Sequence, residues 1–303
     1  MSAMRVNKAW MVAAVGLLAG CGTATPLQPP PDVAGVLTLA AATPPDPGGE
    51  VGGASTEFDA ATDLSMWKKL SATEKDVDRI AKLDVDKTAK GAMYLEPKTS
   101  AWFDGFRGPF VYQDLAGDIV MHARVKVEGK KGGRPKRKFS IGGLMAREPN
   151  TYAAPHWMAI ATGTTDKAGQ LEVKLTTKGS SKPKESAVES EWVDLVLARL
   201  GRVAVALYKE DGGTWKIGNR WESDFPEVLQ WGVSAYTDWD SYSTLKKDAT
   251  KGNAKQVKGL PDLKMTVDFV RFLRPSLPDY ADPLNTASVP DEVLIKLVTP
   301  AGV

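Results

Sequence analysis

The sequence predicts an all-β chain, a two-sheet antiparallel sandwich preceded by an extended tether. Three observations predict it. From Phe58 to about Arg274 turn signals recur roughly every eight to twelve residues, the spacing of short strands in a sandwich. A period of two runs unbroken through Asp118 to Glu128, which is the pattern of a half-buried strand. No part of this region carries a sustained apolar stripe of helical period.

Taken in order, the predicted strands are Ala92 to Leu95, Phe110 to Asp114, Asp118 to Glu128, Lys138 to Arg147, His156 to Thr162 and Gln170 to Thr177, then Trp192 to Leu200, Arg202 to Lys209, Trp215 to Gly218, Val228 to Tyr236 and Lys264 to Leu273. In the clearest of them Ile119, Met121, Ala123, Val125 and Val127 share one face, taken as the core face. Val120, His122, Arg124 and Lys126 share the other, on which His122 is expected to sit at the sheet surface. Leu200-Gly201-Arg202 and Glu210-Asp211-Gly212-Gly213 read as tight hairpins, because Gly supplies the positive φ that such turns need. Asp76 to Lys82 has the composition of a helical turn but no flanking stripe. The sandwich is assigned to residues 56–275. The segment 276–303 is a Pro-rich tail in which Val289 to Leu297 is expected to form one short helix or strand.

The N-terminus carries a different kind of information. Arg5 and Lys8 precede a ten-residue apolar stretch, Ala9 to Leu18, and the small residues Ala19 and Gly20 lead into Cys21, the chain's single cysteine. A membrane crossing needs about 20 apolar residues, so residues 1–20 read as an export signal. Leu18-Ala19-Gly20-Cys21 resembles the lipobox of bacterial lipoproteins, which implies cleavage before Cys21 and acylation of that residue. Gly22 stands where an inner-membrane retention signal often has Asp, so the resemblance implies a cell-envelope protein, outer-membrane if the source is Gram-negative. Residues 21–55, rich in Pro, Gly and Ala, are read as a linker. Removing residues 1–20 takes away two of the 39 basic residues and none of the 37 acidic ones, leaving 37 of each. A neutral exported chain is not a nucleic-acid binder. With its one thiol in the anchor, the domain is stabilised by a packed core rather than a disulfide.

Several segments also fall in a familiar order. They are Trp102-Phe103-Asp104-Gly105, Gly108-Pro109-Phe110-Val111-Tyr112-Gln113, Gly117-Asp118-Ile119-Val120, Gly143-Leu144-Met145-Ala146-Arg147, Trp192-Val193-Asp194-Leu195-Val196, Asp211-Gly212-Gly213-Thr214-Trp215 and Val267-Asp268-Phe269-Val270-Arg271-Phe272. The series resembles secreted bacterial domains of the concanavalin A-like, laminin-G-like jelly-roll superfamily. That resemblance implies a jelly roll whose concave face, in members that bind ligand, receives carbohydrate. The Asp211 to Trp215 hairpin is read as architecture, its Trp folding back on the turn.

Glycosidases of that superfamily carry Glu-x-Asp-x-x-Glu or a similar strand motif, and none is present. In Glu189-Ser190-Glu191-Trp192-Val193-Asp194 the spacing is wrong, and Glu191 and Asp194 read as solvated. With only His122 and His156, a His-rich zinc site is excluded and a Ser-His-Asp triad has few ways to form. Asp238 and Asp240 offer oxygens for calcium but lack a fixed loop pattern. No catalytic residue, metal site or cofactor is assigned. The ligand candidates are Tyr236, Asp238, Trp239, Asp240 and Tyr242, with Trp157 and Arg147 from neighbouring strands. Rings stack on the apolar face of a pyranose while short polar groups hold its hydroxyls. The basic run Lys126 to Lys138 reads as a long solvated hairpin loop, with lipid phosphate or acidic polysaccharide as its alternative partner. The expected function is a membrane-anchored, non-catalytic binder of carbohydrate or envelope polymer. The alternatives are a glycosidase or polysaccharide lyase of the same fold, and an adaptor lipoprotein that holds a partner protein.

Overall fold

A computed structural model describes residues 49–245, 248–275 and 289–299. Cys21, the export signal and most of the linker lie outside these residues, as does most of the Pro-rich tail. The strands in chain order are β1 (Lys68–Lys69), β2 (Ile80–Val85), β3 (Met93–Pro97), β4 (Phe110–Ala116), β5 (Ile119–Glu128), β6 (Ser140–Arg147), β7 (Trp157–Thr164), β8 (Ala168–Thr177), β9 (Ser180–Ala187), β10 (Trp192–Leu200), β11 (Val203–Glu210), β12 (Lys216–Glu222), β13 (Val228–Tyr236) and β14 (Lys264–Leu273). Four short helices accompany them: α1 (Leu70–Thr73), α2 (Trp239–Ser243), α3 (Ala249–Ala254) and α4 (Asp291–Val298).

The strands form two seven-stranded antiparallel sheets. The first has the spatial order β1-β4-β13-β6-β7-β8-β9 and the second β12-β11-β10-β5-β14-β3-β2. Their facing sides enclose the main core. Leu144, Ile160, Val173 and Trp231 come from the first sheet; Met121, Val125, Leu195, Leu197 and Phe272 come from the second. All five residues of β5 predicted to face inward do so. At the β6–β7 contact a Cβ on Gly143 would overlap the Ile160 carbonyl, so this glycine permits the close approach of the two backbones.

The outer faces are apolar as well, which simple alternation did not predict. On the second sheet Val120, Val196, Leu200 and Val205 are covered by Leu294, Leu297 and Val298 of α4, so the Val289 to Leu297 segment resolves as a helix docked on a sheet. His122 shares this outer face and is fully buried, not a surface residue. Its ring stands 4.9 Å from Phe269 and 5.5 Å from Trp215, and its Nε2 lies 2.8 Å from Asp194 Oδ1. Asp194, expected to be solvated, is therefore the buried acceptor of this bond. Trp215 does fold back from its hairpin.

Three strands escaped prediction. In β2 a register shift between Ile80 and Lys82 breaks the alternation; β9 is a polar edge strand; β1 has two residues. A bulge between Val267 and Val270 of β14 lets Val267 and Val270 face the core while Phe269 packs on His122 outside. Part of the segment read as linker is laid against the same strand. Glu50 bridges to Leu273 and Ala54 is buried, and Thr56, at the start of the assigned sandwich, bridges to Val270.

Burial pushes the His122 imidazole below its ordinary value of 6.5, despite the opposing pull of Asp194. The neutral ring then donates from Nε2. Unfolded chain takes up a proton below about pH 6.5 that folded His122 refuses, so stability is full above that pH and falls as the pH is lowered through it. Denaturant titrations between pH 5 and 8 are expected to show this slope, at most about 1.4 kcal/mol per pH unit for one proton. His122→Gln is expected to flatten it; an unchanged slope would assign the loss to other groups.

Candidate functional site

The outer face of the first sheet carries Tyr236, Trp157 and Arg147, three of the residues expected to hold ligand. Most of it is filled. Trp102, Phe110, Tyr112, Met145 and Trp157 form a second apolar cluster there. Trp102 packs edge-on to Trp157 with centroids 5.8 Å apart, and its Nε1 donates to the Pro109 carbonyl at 3.1 Å. The Ala101–Arg107 loop that carries Trp102 is pinned on both sides. Asp104 N donates to Ser181 Oγ at 2.6 Å, and Ser181 N donates back to Asp104 Oδ1 at 2.9 Å. On the other side Arg107 N donates to Asn253 Oδ1 at 3.0 Å, and Asn253 Nδ2 to the Gly105 carbonyl at 2.8 Å.

Beyond this loop the cover stops and a cavity of about 390 Å³ opens, lined by Phe103, Phe139, Asp166, Glu172, Lys174, Pro183, Glu185, Tyr236 and Trp239. Its floor follows from strand register. Glu172 and Lys174 lie two apart in β8 and so share a face. Their β7 partners are Ala161 and Ala159, side chains too short to fill the space above them. In β9 the partners are Glu185 and Pro183.

Glu172 and Lys174 are almost wholly buried, with 3 % and 2 % of their side chains exposed. Lys174 Nζ donates to Glu172 Oε1 at 2.6 Å and to Tyr236 Oη at 2.8 Å. The Tyr236 hydroxyl in turn donates to Glu172 Oε1 at 2.8 Å. Burial, and then the Glu172 charge beside it, push the Tyr236 phenol well above its ordinary value, so it remains a donor. Around the ammonium stand the rings of Tyr236, Trp157 and Phe103, at 5.2, 5.5 and 5.7 Å from Nζ. The floor is thus a buried ion pair held in an aromatic cage, satisfied within the protein.

The walls are apolar and the rim is charged. Trp239 stands edge-on to Phe103 at 5.7 Å, to Phe106 at 5.9 Å and to Phe139 at 6.2 Å. It is raised there by Asp238, whose left-handed backbone at φ 71° turns the chain out of β13. Glu185, on the exposed edge strand, accepts from Thr165 Oγ1 at 2.9 Å. Asp166 pairs with Lys138 at 2.9 Å.

Of the residues proposed from sequence, Tyr236 and Trp239 come together in this cavity. Trp157 lies beneath it, against Lys174. Asp238 is fully buried and accepts from Arg137, Thr99, Ser241 and Leu260 N. Burial alone would raise its carboxyl, but Arg137 and the other donors outweigh that and hold it below the ordinary value. Those donors leave its oxygens no room for calcium. Among the described residues no group of three or more acids, His or Cys is arranged for a metal. Tyr242 is fully buried against Phe106, so it props the wall and does not line it. Asp240 is half exposed and shares Arg137 with Asp238. Arg147 sits elsewhere on the face, paired with Glu74 and Gln230 at 2.8 Å each.

Sequence reasoning missed Glu172, Lys174, Glu185, Asp166, Phe103 and Phe139. The signal for the first two was present, since alternation through Leu171, Val173 and Leu175 sets Glu172 and Lys174 on the opposite face. The expected basic loop is committed to the fold as well. Arg134 donates to the carbonyls of Val188, Glu189 and Ser190, Arg137 holds Asp238, and Lys126, Lys130 and Lys138 pair with Glu191, Glu96 and Asp166. His156 stacks on Phe225 at 4.1 Å between Ser223 and Glu148, 2.7 and 3.2 Å away. This serine–histidine–acid array lies outside the cavity and ties the β6–β7 loop to the segment after β12.

No family model matches the chain, and no curated protein matches it in sequence. Among solved structures it is similar to the GH43 BlXynB protein from Bacillus licheniformis, with 10% identity and TM-score 0.52 over 72% of this chain and 39% of that one. It is also similar to a functionally unknown protein from Saccharomyces cerevisiae, at 17% identity and TM-score 0.48 over 71% and 99% of the two chains, and to lectin I-B4 from Griffonia simplicifolia, at 9% identity and TM-score 0.44 over 72% and 98%. At these identities the likeness is one of fold alone, the two-sheet antiparallel β-sandwich.

Removing one member of the buried ion pair leaves a desolvated charge, at a cost of about 3–5 kcal/mol. Lys174→Met is expected to lower unfolding stability by that amount. The double variant Glu172→Leu, Lys174→Met is expected to recover most of it. A double variant as unstable as Lys174→Met alone would contradict the coupling.

Proposed function

We propose that this chain is a lipid-anchored cell-envelope protein whose sandwich binds glycan in the cavity between Trp239 and β8. One observation carries the reading. Where the aromatic cover of this face ends, a cavity of about 390 Å³ walled by Trp239, Phe103 and Phe139 stays open, within the size range of small-ligand sites. Trp239, Phe103 and Phe139 offer apolar surfaces to the C–H faces of a sugar. Glu185 and Asp166 offer acceptors to its hydroxyls. The Glu172–Lys174–Tyr236 cluster fixes the floor, so little ordering is needed on binding.

A second reading has its own observation. Glu172 and Glu185 are directly opposed in the β8–β9 ladder and both line the cavity, and retaining glycosidases act with two facing carboxyl groups. Against it, Lys174 and Tyr236 already occupy Glu172. Binding without turnover is the favoured reading. Reducing-sugar release that disappears in Glu185→Gln would reverse that preference.

The anchor rests on Leu18 to Cys21, and the linker after it sets the domain off the membrane. Trp239→Ala is expected to abolish retention on envelope polysaccharide and to weaken any soluble oligosaccharide at least about tenfold, a loss of one stacking partner, while the thermal midpoint stays within a few degrees. Retention equal to that of the unaltered chain would sink the assignment. Cys21→Ala is expected to move the protein from the membrane fraction to the soluble one and to end incorporation of labelled palmitate. Continued labelling would place the lipid elsewhere.

A further inference from the structure

We propose that the cavity selects a saccharide carrying a protonated amine, an amino sugar whose nitrogen is not acylated. The inference rests on the glycan reading and follows from the charge balance around the rings. Lys174 neutralises Glu172 on the floor, and Lys138 neutralises Asp166 on the rim. Glu185 has no ion-pair partner among the described residues, its contact being the neutral Thr165 hydroxyl. Beside Trp239, Asp240 shares the one guanidinium of Arg137 with the fully buried Asp238. Of the three acids that line the cavity, Glu185 is therefore the one left without a counter-charge among the described residues.

A cavity with aromatic walls and excess negative charge favours a cation twice over. Ring faces attract a cation through their quadrupoles, and a carboxylate lacking a protein partner forms a charge-assisted hydrogen bond with an ammonium. Lys174 already illustrates the preference, its ammonium lying 5.2 to 5.7 Å from three ring centroids. A uronic acid or other anionic sugar would meet Glu185 as a like charge. A neutral sugar would stack on Trp239 but leave Glu185 without a counter-charge.

The test uses the full chain and two probes of equal length, an oligomer of β-1,4-linked glucosamine and its fully N-acetylated counterpart, titrated by calorimetry at low salt and pH 6. The glucosamine oligomer is expected to bind about five- to tenfold more tightly. In Glu185→Gln that advantage is expected to disappear, the glucosamine oligomer losing about five- to tenfold more affinity than the acetylated one. Equal affinity of the unaltered chain for both oligomers, or an equal loss of both in Glu185→Gln, would overturn amine selection and leave glycan binding standing. Failure of both oligomers to bind, together with no effect of Trp239→Ala on envelope-polysaccharide retention, would overturn the glycan reading and amine selection with it.

Discussion

Both sheets of this sandwich are apolar on both faces, and the need to cover four faces with two sheets organises the rest of the molecule. One pair of faces covers itself in the central core. The outer face of the second sheet is covered by α4. Among the described residues no long helix lies over the outer face of the first, which is closed by aromatic side chains and by the Ala101–Arg107 loop. Burying apolar surface yields about 25 cal/mol per Å², so a loop that seats an indole such as Trp102 is held by that burial as well as by its hydrogen bonds. The cavity is what remains where this cover ends.

The same constraint explains the unusual polar interior. Once an outer face is sealed, any polar side chain that the strand period places on it is sealed in too. His122 and Asp194 meet under Trp215 and Phe269; Arg147 and Glu74 meet beside Gln230; Glu172, Lys174 and Tyr236 meet under the loop. Each group is paired because an unpaired buried charge costs several kcal/mol. Glu74 of the second set borders open space beside Arg107 and Tyr152; the last set lies under aromatic walls, where it forms a rigid polar floor.

How much of this was legible in the sequence follows from what strand periodicity reports. Alternation tells which residues share a face, and it placed the inward set of β5 and the long strands correctly. It does not tell whether the other face meets water. His122 and Asp194 were assigned to solvent for that reason, since α4 and the Trp215 hairpin that bury the face are distant in sequence. The pattern also fails where register shifts, at Ile80 to Lys82 and Val267 to Val270, and where an edge strand such as β9 needs no apolar side. Glu185 lies on that strand and went unseen. Tyr236 and Trp239 were found because they follow a clear strand directly. Tyr242, three residues further on, turned inward because the α2 turn rotates it onto Phe106.

The central claim is that ligand enters at Trp239, beyond the sealed aromatic cluster. The most direct test is an NMR titration of the full chain with an oligosaccharide, following the indole N–H signals of its nine tryptophans. Saturable movement of the Trp239 signal, with Trp102 and Trp157 shifting little or not at all, is the predicted result. A titration in which Trp239 stays fixed while Trp102 and Trp157 move would mean that the sealed face opens to ligand instead, and would contradict the account.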